Sequence, residues 1–205
     1  MNITKHKVFI SYHHDNDQWY KEELLRLNKE SEIFIDGSVD TGDIDDTLSN
    51  ERIRQIIRDD YLKDTTVTIL LVGTETKNRK HIDWELKSSM INGSINKKSG
   101  ILVVNLPSTE CTYYTATHPK EKEIVYPENS SWISIDTRAE YERRYPFLSA
   151  RIIDNLLKPE AKISVVNWDK ISNNIDYLKF LIETTYQDRV NCEYDLSRTM
   201  KRNNS

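Results

Sequence analysis

Apolar positions along the first two-thirds of the chain switch repeatedly between short continuous runs and helical spacing. Val8, Phe9 and Ile10 form a run too brief for a core helix and suited to a strand. Tyr20, Leu24 and Leu27 then recur at helical spacing, with Asp15 and Asp17 available as caps. Ile33, Phe34 and Ile35 make a second strand-like run, which passes into an acidic, glycine-containing loop over 36–43. Ile53, Ile56, Ile57 and Tyr61 share a helix face behind the candidate caps Thr47 and Ser49. Val67–Val72 is almost wholly apolar, as a strand is when helices cover both faces of its sheet. Ile82, Leu86 and Met90 line a third helix that Gly93 can terminate. Ile101, Leu102, Val103 and Val104 read as a fourth strand, and Trp132, Ile133, Ser134 and Ile135 as a fifth. Pro146 is placed to begin a helix through Phe147, Leu148, Ile152, Ile153, Leu156 and Leu157, stopped by Pro159.

This alternation predicts an α/β fold class: a flavodoxin-like, doubly wound, mostly parallel sheet of about five strands with helices on both faces. Residues 1–160 read as one domain. Its polar 107–131 insertion, with Tyr113, Tyr114 and His118, is longer than loops usually run. Residues 161–205 read as an extension packing on the same domain. It has a strand-like 163–166, a helix through Ile171, Ile175, Leu178 and Ile182, and a frayed polar end. A net charge of −4 over 205 residues, with scattered Lys and Arg, disfavours a nucleic-acid partner. Cys111 and Cys192 have no metal-ligand spacing, which favours a reducing compartment. Without an apolar signal core or a run of about 18 apolar residues, the expectation is a cytoplasmic protein with no membrane partner.

Several chemistries are disfavoured by missing motifs. No glycine-rich dinucleotide fingerprint follows the first strand, and no phosphate-cradling loop ends in Gly-Lys-Ser/Thr. A phospho-receiver needs an acceptor aspartate after the third strand, where Val72, Gly73 and Thr74 stand. No Gly-x-Ser-x-Gly elbow or His-Glu-x-x-His is present. His81 and Glu85, one helical turn apart, suit a surface pair better than a metal site, and no metal is expected. What remains is the end of the first strand. Ser11, Tyr12, His13 and His14 crowd the carboxyl edge, where open α/β sheets bind ligands. Glu85 borders the stripe of Ile82, Leu86 and Met90, where a carboxylate can face a cleft without entering the core.

Phe9-Ile10-Ser11-Tyr12, Ile35-Asp36-Gly37 and Trp84-Glu85-Leu86, taken in that order, resemble a TIR-like domain. More narrowly, the chain resembles the TIR-like subunit of the bacterial Thoeris anti-phage defence systems, over roughly residues 5–160. The resemblance implies a flavodoxin-like fold and cleavage of NAD⁺ at the nicotinamide–ribose bond. It implies Glu85 as the catalytic residue. Phe9, Ser11, Tyr12, His13, Asp36, Gly37, Ser38, His81 and Trp84 would line the substrate pocket. NAD⁺ would be a substrate, with no separate cofactor. The product would be a cyclic ADP-ribose isomer that activates a partner NAD⁺-degrading effector, and copies could assemble through TIR surfaces. Two departures bear on substrate geometry. Many TIR domains carry tryptophan four residues before the catalytic glutamate, where this chain has His81 and places Trp84 next to Glu85. Basic residues often follow the Ser-Tyr, where His13 and His14 stand. A non-catalytic scaffold and a hydrolase releasing linear ADP-ribose are the competing readings.

Overall fold

A computed structural model describes residues 5–37, 48–94 and 96–204. Its centre is a five-stranded, all-parallel sheet in the order β2-β1-β3-β4-β5. The strands are β1 (His6–Ser11), β2 (Phe34–Asp36), β3 (Val67–Val72), β4 (Gly100–Asn105) and β5 (Ser164–Asn167). Parallel neighbours need crossovers, and helices supply them: α1 (His14–Ser31), α2 (Asn50–Ile56) and α3 (Lys80–Met90) join the first four strands, and the short α4 (Glu121–Ile124) and α5 (Arg138–Arg144) follow β4. β3 and β4 are buried along their whole length, which explains their unbroken apolar runs.

The pleat of β1 divides the interior. Val8, Ile10 and Tyr12 face one side, with Leu24 of α1 and Leu178, Leu181 and Ile182 of α8 (Ile175–Asp188). On the other side, Ile82, Leu86 and Met90 of α3 pack on Leu70, Val72, Ile101 and Val103. Phe9 on that side joins Ile53, Ile57, Leu62 and Trp84.

The expected fifth strand at 132–135 does not form. Ile133 is 74% exposed, and Trp132 packs edge-on against Tyr114 and Tyr126. β5 comes instead from the segment read as an extension, so that segment completes the sheet and α8 covers it. The 107–131 insertion lies along the outer edge of β5. Thr115 and Val165 exchange backbone hydrogen bonds of 2.9 Å in both directions, which occupies an otherwise open strand edge. Buried Glu121 holds it there by accepting from Ser164 Oγ at 2.6 Å and from the N–H groups of Thr117 and His118 at 3.0 Å.

Helix ends also differ from expectation. His13, not an aspartate, caps α1. Beyond Pro146, α6 (Ala150–Leu156) begins only after the Ser149 cap. The expected final helix is broken at Asn173 and Asn174 into α7 (Trp168–Ser172) and α8. Segment 193–204, expected to fray, is docked on α3 and α6 by hydrogen bonds from Lys87, Arg151 and Asn155. Among the described residues, no helix is long and apolar enough to cross a membrane.

Candidate active site

Ser11 ends β1 with its side chain on the same face as Phe9, towards α3. The stripe of Ile82, Leu86 and Met90 seats α3 on β3 and β4, and Thr68 Oγ1 donates to Ser89 Oγ at 2.9 Å across that seam. With α3 so placed, Glu85 meets the end of β1: Ser11 Oγ donates to Glu85 Oε2 at 2.6 Å. Among the described residues, no second donor reaches the other carboxylate oxygen. Glu85 is only 7% exposed, so the carboxylate expected to face a cleft from the border of the core is in fact buried. Burial pushes its carboxyl up to about 7, against the pull of the Ser11 hydrogen bond. The group sits at the carboxyl edge of β1, the strand between β2 and β3, where strand order reverses and ligands bind.

The other expected pocket residues take several positions. Phe9 and Trp84 are buried together in one apolar cluster, and Trp84 Nε1 donates to the Lys201 carbonyl at 2.8 Å. Both were expected to line the pocket; neither ring can stack on a nucleotide while that cluster, which includes Ile53 of α2, is closed. The His81 ring leans on Trp84 with centroids 5.2 Å apart. Tyr12 turns to the opposite sheet face, where its hydroxyl donates to Gln18 at 2.6 Å and its ring stacks on His14. Asp36 ends β2, and Gly37 N–H donates to the Val8 carbonyl at 2.8 Å. Ser38 lies outside the described residues. A Cβ on Gly37 would stand 3.0 Å from Lys7 carbons and 3.1 Å from the Val8 oxygen. Gly37→Pro removes that amide donor, so urea denaturation should register a loss of about 1–3 kcal/mol alongside any loss of activity.

His13 stands on the rim. Its Nδ1 accepts the Asn16 N–H at 3.3 Å, and the Arg79 guanidinium sits against its other ring nitrogen. Desolvation, then the Arg79 charge, push its pKa below the usual imidazole value, so the ring is neutral near pH 7. Arg79 immediately precedes α3 and also pairs with Asp15 at 2.9 Å. Arg79 was not expected from sequence, and no periodicity marks it.

Asp17, taken from sequence as a cap, turns inward from the first turn of α1. Its carboxylate lies against Gly73, where any Cβ would come within 2.4 Å of both oxygens. Among the described residues Oδ2 has no hydrogen-bond partner, and burial pushes the carboxyl up to about 6, partly opposed by the His13 backbone. Because the folded-state value lies above the ordinary 3.8, the stabilising protonated form is full below about pH 4 and lost as pH rises through 6. Asp17→Asn should therefore raise unfolding free energy by about 1–2 kcal/mol at pH 8 and change it little at pH 4. Denaturant melts of both proteins at the two pH values measure the difference.

The order of elements and the Ser11–Glu85 contact suit comparison with known families. The family model of the TIR-like domain of Thoeris protein ThsB matches residues 9–111. The chain belongs to this family. It is thus a TIR-like module of a defence system, and its matched span runs from inside β1 to just beyond β4. Both Ser11 and Glu85 lie within the span. The rest of the 107–131 insertion, β5 and α8 lie beyond it. No curated protein matches the chain.

A family member with this arrangement can hold a buried negative charge beside a hydroxyl at the switch point of its sheet. Such a charge can oppose a positive centre developing on a bound ligand, and low surrounding polarity strengthens the effect.

Proposed function

We propose that this TIR-like protein cleaves NAD⁺ at the nicotinamide–ribose bond, with Glu85 as the catalytic carboxylate. The observation that carries the reading is Glu85 itself, buried, raised in pKa and hydrogen-bonded to Ser11 at the carboxyl edge of β1. A scaffold would bear the desolvation of that carboxylate with no return.

The chemistry needs one carboxylate. An ordinary glycosidase uses two, because its leaving oxygen must be protonated. Nicotinamide departs from a pyridinium with the bonding electron pair, as a neutral ring, so no acid is required. The ribosyl carbon left behind is electron-poor, and Glu85 opposes its charge. Ser11 orients the carboxylate by holding Oε2. Burial of Glu85 disfavours water as the next nucleophile and favours capture by an atom of the same nucleotide. That atom gives up its proton, and the product is a cyclic ADP-ribose isomer. In this reading the product diffuses in the cytoplasm to an NAD⁺-degrading effector, and copies of the protein assemble through TIR surfaces.

The test is incubation of purified protein with NAD⁺, followed by mass analysis of the products. Nicotinamide and an ADP-ribose species one water lighter than the linear form are expected. Linear ADP-ribose would establish hydrolysis instead. Intact NAD⁺, with the protein tested alone and with phage-infected lysate added, would favour the scaffold.

A further inference from the structure

Segment 193–204 is polar in sequence, yet neighbouring side chains grip its backbone. The Lys201 peptide is held on both sides by consecutive residues of α3. Its N–H donates to Asp83 Oδ2 at 2.8 Å, and its carbonyl accepts from Trp84 Nε1 at 2.8 Å. These two residues directly precede Glu85. Fully buried Arg151 completes the grip, donating to both Asp83 oxygens at 2.8 and 3.0 Å and to the carbonyls of Arg198 and Thr199 at 3.1 and 3.2 Å. Lys87 Nζ reaches the carbonyls of Leu196 and Arg198 at 3.0 and 2.8 Å, and Asn204 Oδ1 accepts the Lys80 N–H at 2.9 Å. The contacts therefore run from the first turn of α3 to its last.

Residues two apart on a helix point in roughly opposite directions, about 200° apart. The grip on Asp83 therefore acts on the side of α3 turned away from Ser11. A helix held on both sides cannot roll. Roll matters because a misplacement of about 1 Å at a reacting group can cost on the order of 10²-fold in rate.

We propose that segment 196–204 is a clamp that fixes the rotation of α3, with the Lys201 peptide, Asp83 and Arg151 acting as positioning groups for Glu85. The inference rests on the reading of Glu85 as the catalytic carboxylate. Recognition is of backbone, so the peptide at position 201 matters more than its side chain.

Two substitutions in the full chain separate these. Lys201→Pro deletes the N–H that Asp83 accepts. Lys201→Ala keeps the peptide and gives up side-chain contacts, among them that of Nζ with the Lys77 carbonyl. Lys201→Pro is expected to lower kcat for nicotinamide release at least roughly tenfold, with KM changed less than about twofold, and Lys201→Ala to restore most of that loss. A loosened α3 admits water to Glu85, so the acid limb of the pH–rate profile should move to lower pH in the proline variant. Amides of α3 should exchange at least roughly tenfold faster there than in Lys201→Ala. Unchanged turnover in Lys201→Pro would overturn the clamp. So would a loss that only follows the folded fraction, with the pH profile and α3 exchange unmoved. If the wild type releases no nicotinamide, the functional reading has failed, and the exchange data decide alone: equal α3 protection in the two variants removes the clamp.

Discussion

Arg151→Ala is expected to lower the unfolding free energy by about 3–5 kcal/mol, enough to consume a large share of a domain's stability. The guanidinium is wholly buried and its Asp83 partner nearly so, with a two-pronged ion pair between them. Removing Arg151 strands a carboxylate away from water, with the Lys201 N–H as its remaining backbone donor. It also takes a donor from the Thr199 carbonyl and leaves the Arg198 carbonyl with Lys87 in place of two donors. The penalty comes from breaking the pair rather than from any great net strength of the intact pair. Asp83→Leu combined with Arg151→Met should therefore recover much of the loss. For contrast, Arg26 bonds Glu23 and Glu30 on an exposed helix face, and Arg26→Ala should leave the urea midpoint nearly unchanged. Urea midpoints of the variants measure these differences. A loss below about 1 kcal/mol for Arg151→Ala would mean that Asp83 finds other partners.

The sheet was largely legible because its inner strands are buried on both faces. Val67–Val72 could hardly read otherwise, and the stripe on α3 gave that helix its seat. The fifth strand was misread for a physical reason. Two short apolar runs, at 132–135 and 163–166, look alike locally; which one pairs depends on which can reach the free edge of β4, and periodicity carries no such information. The docked segment was missed for a related reason. Its contacts are made by backbone N–H and C=O groups that every residue possesses, so its polar composition reads as a loose end. One signal was present: Arg151 lies among Leu148, Ile152 and Asn155 on a helix face that should be apolar, and a charge there calls for a buried partner. Glu85 stood out only beside the other family-like residues. Its depth, and the burial of Phe9 and Trp84, depend on how α2 and α3 meet β1, which no local pattern encodes.

Glu85→Gln carries the largest expected effect on activity. Gln keeps the shape and can still accept from Ser11 through its amide oxygen, while the negative charge is gone. If that charge stabilises the ribosyl centre, its loss should cost about 3–4 kcal/mol in the transition state, or about 10²–10³ in rate. Stability should move the other way or not at all. The folded-state value of about 7 lies above the ordinary 4.5, so the protonated form's contribution is full below about pH 4.5 and lost as pH rises through 7. The Gln variant has no such loss and should be at least as stable as the wild type at pH 8. In the wild type the same ionisation supplies the active carboxylate, so product formation should climb through about pH 7 and level off above it. The most direct measurement is the yield of nicotinamide and cyclised ADP-ribose from NAD⁺ at pH 8, for wild type and Glu85→Gln at equal folded concentration. A fall of about 10²–10³ in a variant that melts no lower is the predicted result; equal yields from the two proteins would contradict the catalytic role of Glu85.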